Sequence, residues 1–256
     1  MPSFLVFIIR DIAILSLLVG CSSVPKNIEE PKSIIIENED FYANELTQSL
    51  NQAHGAWEDG TIHSTLSVLV KKISATSLEL KNIYPAIKIK FLKTNGVLLL
   101  SGLANTLYIS RGTLQMLQYE NELIFCLSIP LALFKGKIPY KKFMELKAQN
   151  KLSLIKEAKL TKDDFFDFGE EAYFNADQQA LKLMYNTRYD PRGADSFLRK
   201  WPSHSSPEQL MGKILPPTEE RYQILRNEVA KLTPLQDPIV KSSTFDELLR
   251  HIKTIK

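Results

Sequence analysis

Residues 109–134 read ISRGTLQMLQYENELIFCLSIPLALF, and the fold is decided there. Leu107, Tyr108 and Ile109 end a strand-like run and meet Arg111-Gly112, and a short amphipathic segment follows. Asn121 is a natural N-cap, since its side-chain oxygen can accept one of the backbone N–H groups that a helix start leaves unpaired. Glu122 comes next, in the first turn, where a carboxylate suits the positive end of a helix. From Leu123 to Phe134 nearly every residue is apolar, so this helix is expected to be buried on all sides. A bilayer span takes roughly 20 such residues, so the run reads as the central helix of a core.

Upstream, Ile87-Lys88-Ile89-Lys90-Phe91 alternates strictly, the pattern of a half-buried strand. Asn95-Gly96 is a hairpin turn signal, with strands expected at 97–100 and 106–110. Earlier still, 41–57 and 65–80 carry helical periodicity through Leu46 and Leu50, then Leu66, Leu69, Val70 and Ile73, with Gly55 and Gly60 between them. Downstream, 135–162 is rich in lysine. Phe143, Leu146, Leu154 and Ile155 would supply the buried side of a helix there, and the lysines a solvated face; the sharper alternative is a contact surface for acidic partners or anionic lipid heads.

Three further fragments fall in a telling order: Tyr173-Phe174-Asn175-Ala176-Asp177, then Arg188-Tyr189-Asp190-Pro191, then Leu215-Pro216-Pro217-Thr218-Glu219-Glu220-Arg221. With Arg111-Gly112-Thr113-Leu114, Glu122-Leu123 and Leu127-Ser128, they resemble the frame of the zinc metallopeptidase family of the HtpX, BepA and mitochondrial Oma type. That family runs strand, Arg-Gly turn, short helix and an active-site helix bearing H-E-x-x-H. A second helix with E-x-x-A-D, a G-Y-D-P turn and an H-P-P-x-x-x-R stretch follow. The resemblance covers roughly residues 87–231. It implies an α+β, mainly helical, zincin-like domain with a small antiparallel sheet before the buried central helix.

The residues that would do the family's chemistry are replaced. Ile129, Pro130 and Leu133 stand where the two histidines and the intervening glutamate belong, Tyr173 at the third ligand, and Leu215 at the later histidine. A zinc site needs imidazole, thiolate or carboxylate donors, and a peptidase needs a base to activate water. Ile and Leu have no lone pair to offer, and Pro130 removes a helical N–H and is expected to kink the helix. No catalytic residue, no metal ligand and no cofactor are therefore expected, although zinc serves the resembled family. Glu170 and Glu171 lie off the face that would meet the first helix. A buried Tyr173 hydroxyl satisfied by Asp177, four residues on, is the simplest reading of that pair. His54, His63, His204 and His251 form no H-x-x-x-H or H-x-H pair, and no phosphate loop or serine-nucleophile elbow is present.

The chain has 256 residues, 44% of them hydrophobic, and a formal charge of +3, which suits one ordinary domain with appended segments. No nucleic-acid-binding motif spacing occurs. Residues 4–19 are apolar apart from Arg10, Asp11 and Ser16, and lead into Leu18-Val19-Gly20-Cys21. This reads as a lipobox, with Cys21 the acylated (palmitate-bearing) anchor; an ordinary signal peptide with an incidental cysteine is the alternative. Ser22 after the cysteine resembles the outer-membrane sorting pattern. The expected division is a lipoprotein signal peptide at 1–20, a tether at 21–40, a metallopeptidase-like domain at 41–235 and a C-terminal helical tail at 236–256. Thr244-Phe245-Asp246-Glu247 is a capping box for the helix of that tail. The function expected is an inactive, peptide- or protein-binding lipoprotein on the periplasmic face of the outer membrane, with an envelope protein or peptide as partner and no nucleic acid. Two alternatives stand beside it: an active metalloendopeptidase with a nonstandard metal site, and a purely structural lipoprotein docking through its basic region.

Overall fold

The computed structural model describes residues 32–157, 165–203 and 219–254. The chain divides into a short N-terminal unit, Met1–Glu37, and a compact unit, Asn38–Lys256, and the architecture below is that of the second, to which α1 belongs from Asn38 onward. In chain order its elements are α1 (Lys32–His54), β1 (Ala56–Trp57), α2 (Gly60–Ser74), α3 (Leu78–Ile83), β2 (Lys88–Leu92), β3 (Leu99–Ser101) and β4 (Thr106–Ser110). They continue with α4 (Arg111–Met116), α5 (Glu120–Lys135), α6 (Ile138–Ala148), α7 (Ser153–Glu157), α8 (Glu170–Asn186), α9 (Gly193–Ser203), α10 (Glu219–Lys231) and α11 (Ser243–Thr254). The fold is α+β and mainly helical.

The sheet is mixed, not antiparallel as expected. Its order is β1-β2-β4-β3, with β2 parallel to β4, and β1 and β3 antiparallel on the outside. Asn95-Gly96 therefore does not join two paired neighbours. Arg111 binds Asn95 Oδ1 through Nε at 3.0 Å and Nη2 at 2.7 Å, and Gly112 N–H reaches Thr94 O at 3.1 Å. These contacts hold the turn against the start of α4 and carry the chain out to the sheet edge as β3. A Cβ at Gly112 would lie 2.0 Å from Asn95 O, so the glycine is required by that approach. The true hairpin lies between β3 and β4, where Ala104 and Asn105 both take positive φ (48° and 53°), the twist that suits a two-residue connection.

α5 is the centre of the core, as its composition predicts: every residue from Leu123 to Phe134 is buried. It packs most extensively against α8 and also against α9, α2 and β3. Its start differs from the expectation. The N-cap is Tyr119 rather than Asn121, because Asn121 is spent elsewhere: its Nδ2 donates to Asp190 O at 3.2 Å, and its N–H to Val240 O at 3.2 Å. Glu122 does reach back, Oε2 accepting from Gln118 N–H at 2.8 Å and Tyr119 N–H at 3.3 Å. The helix runs unbroken through Pro130.

Other boundaries also move. α1 begins at Lys32, inside the stretch expected to be a tether, and residues 56–57, expected to be helical, form the edge strand β1. The stretch 236–256 belongs to the compact unit. α11 packs on α4 and α2 and buries Phe245, Leu248 and Ile252. Ser242, not Thr244, takes the capping role, accepting from Phe245 N–H at 3.2 Å. In the basic region Phe143, Leu146 and Ile155 are buried and Leu154 half-buried, while Lys135, Lys142 and Lys156 form loose surface pairs with Glu79, Glu145 and Glu45. That is the solvated-face arrangement. Cys21, Thr218 and Leu215 lie outside the described residues.

Candidate functional site

The positions singled out by the resemblance lie on two helices packed directly on each other, α5 and α8. On α5, Ile129 and Leu133 are each 2% exposed and Pro130 is buried between them in sequence. On α8, Tyr173 and Asp177 are buried. Glu170 and Glu171 are exposed at the same helix's first turn.

Asp177 is not the partner of Tyr173. The Tyr173 hydroxyl donates to the Phe166 carbonyl at 2.7 Å, with its ring against Phe168, and burial pushes the phenol far above its ordinary range. Asp177 instead takes a two-pronged hydrogen bond from Arg221 of α10, Nη2 to Oδ1 at 2.8 Å and Nε to Oδ2. Both side chains are 1% exposed. The i to i+4 spacing that suggested a Tyr173–Asp177 pair loses to a guanidinium, because a buried carboxylate needs a countercharge more than a neutral donor. The Ala-Asp fragment and the Arg of the Pro-Pro-x-x-x-Arg fragment, 44 residues apart, thus meet in the core.

The start of α5 is a second buried polar node. Glu122, fully buried, accepts from Lys200 Nζ at 2.6 Å and from the Ser196 hydroxyl, both on α9. Tyr189, of the Tyr-Asp-Pro turn, donates to Glu120 Oε1 at 2.6 Å, and Lys72 Nζ lies 4.4 Å from the Tyr189 ring centroid. The turn is pinned by Asp190 N–H to Ile239 O at 2.8 Å and Ile239 N–H to Arg188 O at 2.9 Å. Arg192 holds the Asp190 carboxyl below the usual carboxylate range. A Cβ on Gly193 would lie 2.6 Å from Asn121 Cγ, so a glycine lets α9 start against α5.

Zinc does not fit these residues. The positions that the resemblance would align with its ligands hold aliphatic carbons and a phenol committed to a carbonyl, and among the described residues no three His, Cys, Asp or Glu side chains come together to hold a metal ion. Cys126 is buried in α5, where burial pushes its thiol far up, so it is not a thiolate donor. His54 ends α1 half-buried, with its pKa lowered by burial.

Sequence reading did not anticipate the Asp177–Arg221 pair, the Lys200–Glu122 pair, or a contact of His251 on α11 with Asp59 at 2.8 Å. Each joins residues far apart in sequence, so no local spacing encodes it. In β3, Leu99, Leu100 and Ser101 are all buried. The sheet's exposed edge is β1, where Ala56 is exposed and Trp57 half-buried. Beside it a groove of about 360 Å³ is lined by Trp57, Glu58, His63, Ile89 and Phe91 among others. In comparisons with known proteins, no family model and no curated protein matches the chain.

Proposed function

We propose that this chain is a catalytically silent, metallopeptidase-like binding protein. It would be held by acylated Cys21 on the periplasmic face of the outer membrane and work by engaging an extended peptide or an envelope protein. The observation that carries the reading is the meeting of Asp177 with Arg221 between α8 and α10. The fragments that supply the supporting aspartate and the arginine of the resembled frame are joined, while α5 beside them offers Ile129 and Leu133, and α8 itself Tyr173, in place of ligands. A frame kept without its donors supports a role in holding chains rather than cutting them.

The experiment is bound zinc per chain on protein purified without a metal-affinity tag, with a peptidase assay on an unfolded protein substrate alongside. Below about a tenth of an equivalent, with no gain on adding zinc and no cleavage, is expected. A full equivalent that chelator removes, together with cleavage that chelator abolishes, overturns the proposal and favours the active endopeptidase.

A further inference from the structure

Among the described residues, hydrogen-bond accounting along β2 leaves one residue without a partner. Lys88 donates its N–H to Asn105 O, towards β4, at 3.1 Å. Peptide groups alternate along a strand, so those of Lys90 and Leu92 also face β4, and those of Ile89 and Phe91 face the opposite side. On that side Lys93 N–H donates to Gly55 O at 2.9 Å, and Phe91 pairs with Trp57. There β1 ends. Asp59 turns the chain into α2, its Oδ1 accepting from Ile62 N–H at 2.9 Å. In a continued ladder Asp59 would stand opposite Ile89. Among the described residues neither the N–H nor the C=O of Ile89 has a hydrogen-bond partner, although the residue is only 8% exposed. Buried backbone groups are nearly always paired.

The unpaired edge borders a groove. The hollow beside Trp57, His63 and Phe91 is about 360 Å³, and a second, about 140 Å³, lies beside Ser67, Val70, Tyr84 and Ile87. Ile89 lines both. His63, Ser67 and Val70 are spaced four and three apart on α2, so one helix face runs the length of the groove.

We propose that an extended peptide segment of a partner protein adds to the sheet here, continuing the line of β1 antiparallel to β2, with its backbone pairing to Ile89. The recognition is strand addition: the main chain supplies the bonds, and alternate side chains supply the selection. The side chain that packs over Trp57 and Phe91 is apolar or aromatic, because those rings, in contact with their centroids 5.4 Å apart, form the wall. Glu58 and Lys90 are both exposed and both line the groove, so its mouth presents charges of both signs and selects neither. This rests on the proposed function for the idea that the protein binds a peptide, and it names the place and the peptide class.

The probes are two fluorescein-labelled decapeptides, one alternating Lys and Val around a central Phe, the other with Glu for each Lys, titrated into the full chain by fluorescence anisotropy. At least one of the two is expected to bind with a Kd below about 1 mM. N-methylation of alternate backbone nitrogens should abolish binding in one frame and change it less than about twofold in the other. Ser67→Arg, which fills the groove from a partly exposed helix position, should weaken binding about tenfold or more. In the complex the Ile89 amide should exchange more slowly by at least about tenfold, with Lys90, already bonded to β4, unchanged. A bound peptide that leaves Ile89 exchange unaltered, or that tolerates both N-methyl frames, overturns the inference while a peptide-binding function elsewhere survives. No binding of either peptide at about 1 mM also overturns it, and the zinc and peptidase measurements then decide the silent-enzyme reading on their own.

Discussion

The α5–α8–α10 centre and the β1–β2 edge over α2 differ in how they treat most polar groups, although the start of α5 keeps Glu120 Oε2 and Asn121 Oδ1 buried with no partner among the described residues. In the centre, the positions that draw attention by resemblance are engaged within the protein: Asp177 with Arg221, Tyr173 with the Phe166 carbonyl, Glu122 with Lys200 and Ser196. At the edge, β1 is short, and among the described residues the peptide groups of Ile89 have no partner beside an open groove. An engaged group stabilises; an unpaired one can bind. The positions singled out by the resemblance therefore help hold the core, and the backbone groups of Ile89 mark the edge proposed to bind. Each prediction below tests one side of that division, beginning with the largest effect.

Removing one member of the buried ion pair is the heaviest blow the comparison predicts. Asp177→Ala leaves a guanidinium uncompensated in the core and should cost about 3–5 kcal/mol in urea unfolding. Replacing both partners, Asp177→Leu with Arg221→Met, removes the charges together, and such swaps are often close to neutral. If the double variant is as unstable as the single one, the pair acts through shape rather than charge, and the account of the centre needs revising. Gly112→Ala comes next. Its Cβ would meet the Asn95 carbonyl at 2.0 Å, and overpacking against backbone should cost about 3 kcal/mol. Wild-type stability there would mean that the Arg111–Asn95 clasp opens at little cost. Tyr173→Phe is milder. It strips one donor from the Phe166 carbonyl and should lose about 1–2 kcal/mol, without the loss of zinc or activity that a ligand position would show.

How much of this was legible in the sequence follows the same division. The burial of α5 was legible because twelve successive positions, Leu123 to Phe134, are almost entirely apolar, and β2 because it alternates. Strand order was not. Parallel pairing of β2 with β4 depends on where Arg111 and Gly112 clasp the Asn95-Gly96 turn, a contact across 16 residues. The N-cap at Asn121 was misplaced for a similar reason: capping propensity is local, but the side chain is claimed by Asp190, 69 residues away. At the site, residue type alone says that Ile129 and Leu133 cannot coordinate a metal, since an aliphatic side chain has no lone pair to give. The partner of Asp177 and the unpaired face of Ile89 were not legible, because both are set by what the tertiary fold brings near or fails to bring near.

The smallest expected effect lies at the border of the two regions, where Asp59 caps α2 and binds His251. Burial raises the Asp59 carboxyl's pKa, yet the N–H of Ile62 and then His251 outweigh it, so the group sits below its ordinary 3.8 in the folded chain. A depressed carboxylate pKa contributes stability that is fully present above the unfolded value and is lost as pH falls through the folded one. Asn is as good a cap as Asp, so Asp59→Asn keeps the bond to Ile62 and removes only the charge. The variant should be less stable than wild type by about 1 kcal/mol near pH 6, and the two urea midpoints should converge as pH drops below about 4. Curves that remain parallel down to pH 3 would show that the carboxylate charge contributes nothing. The link from α11 to α2 would then rest on the apolar burial of Phe245, Leu248 and Ile252 alone.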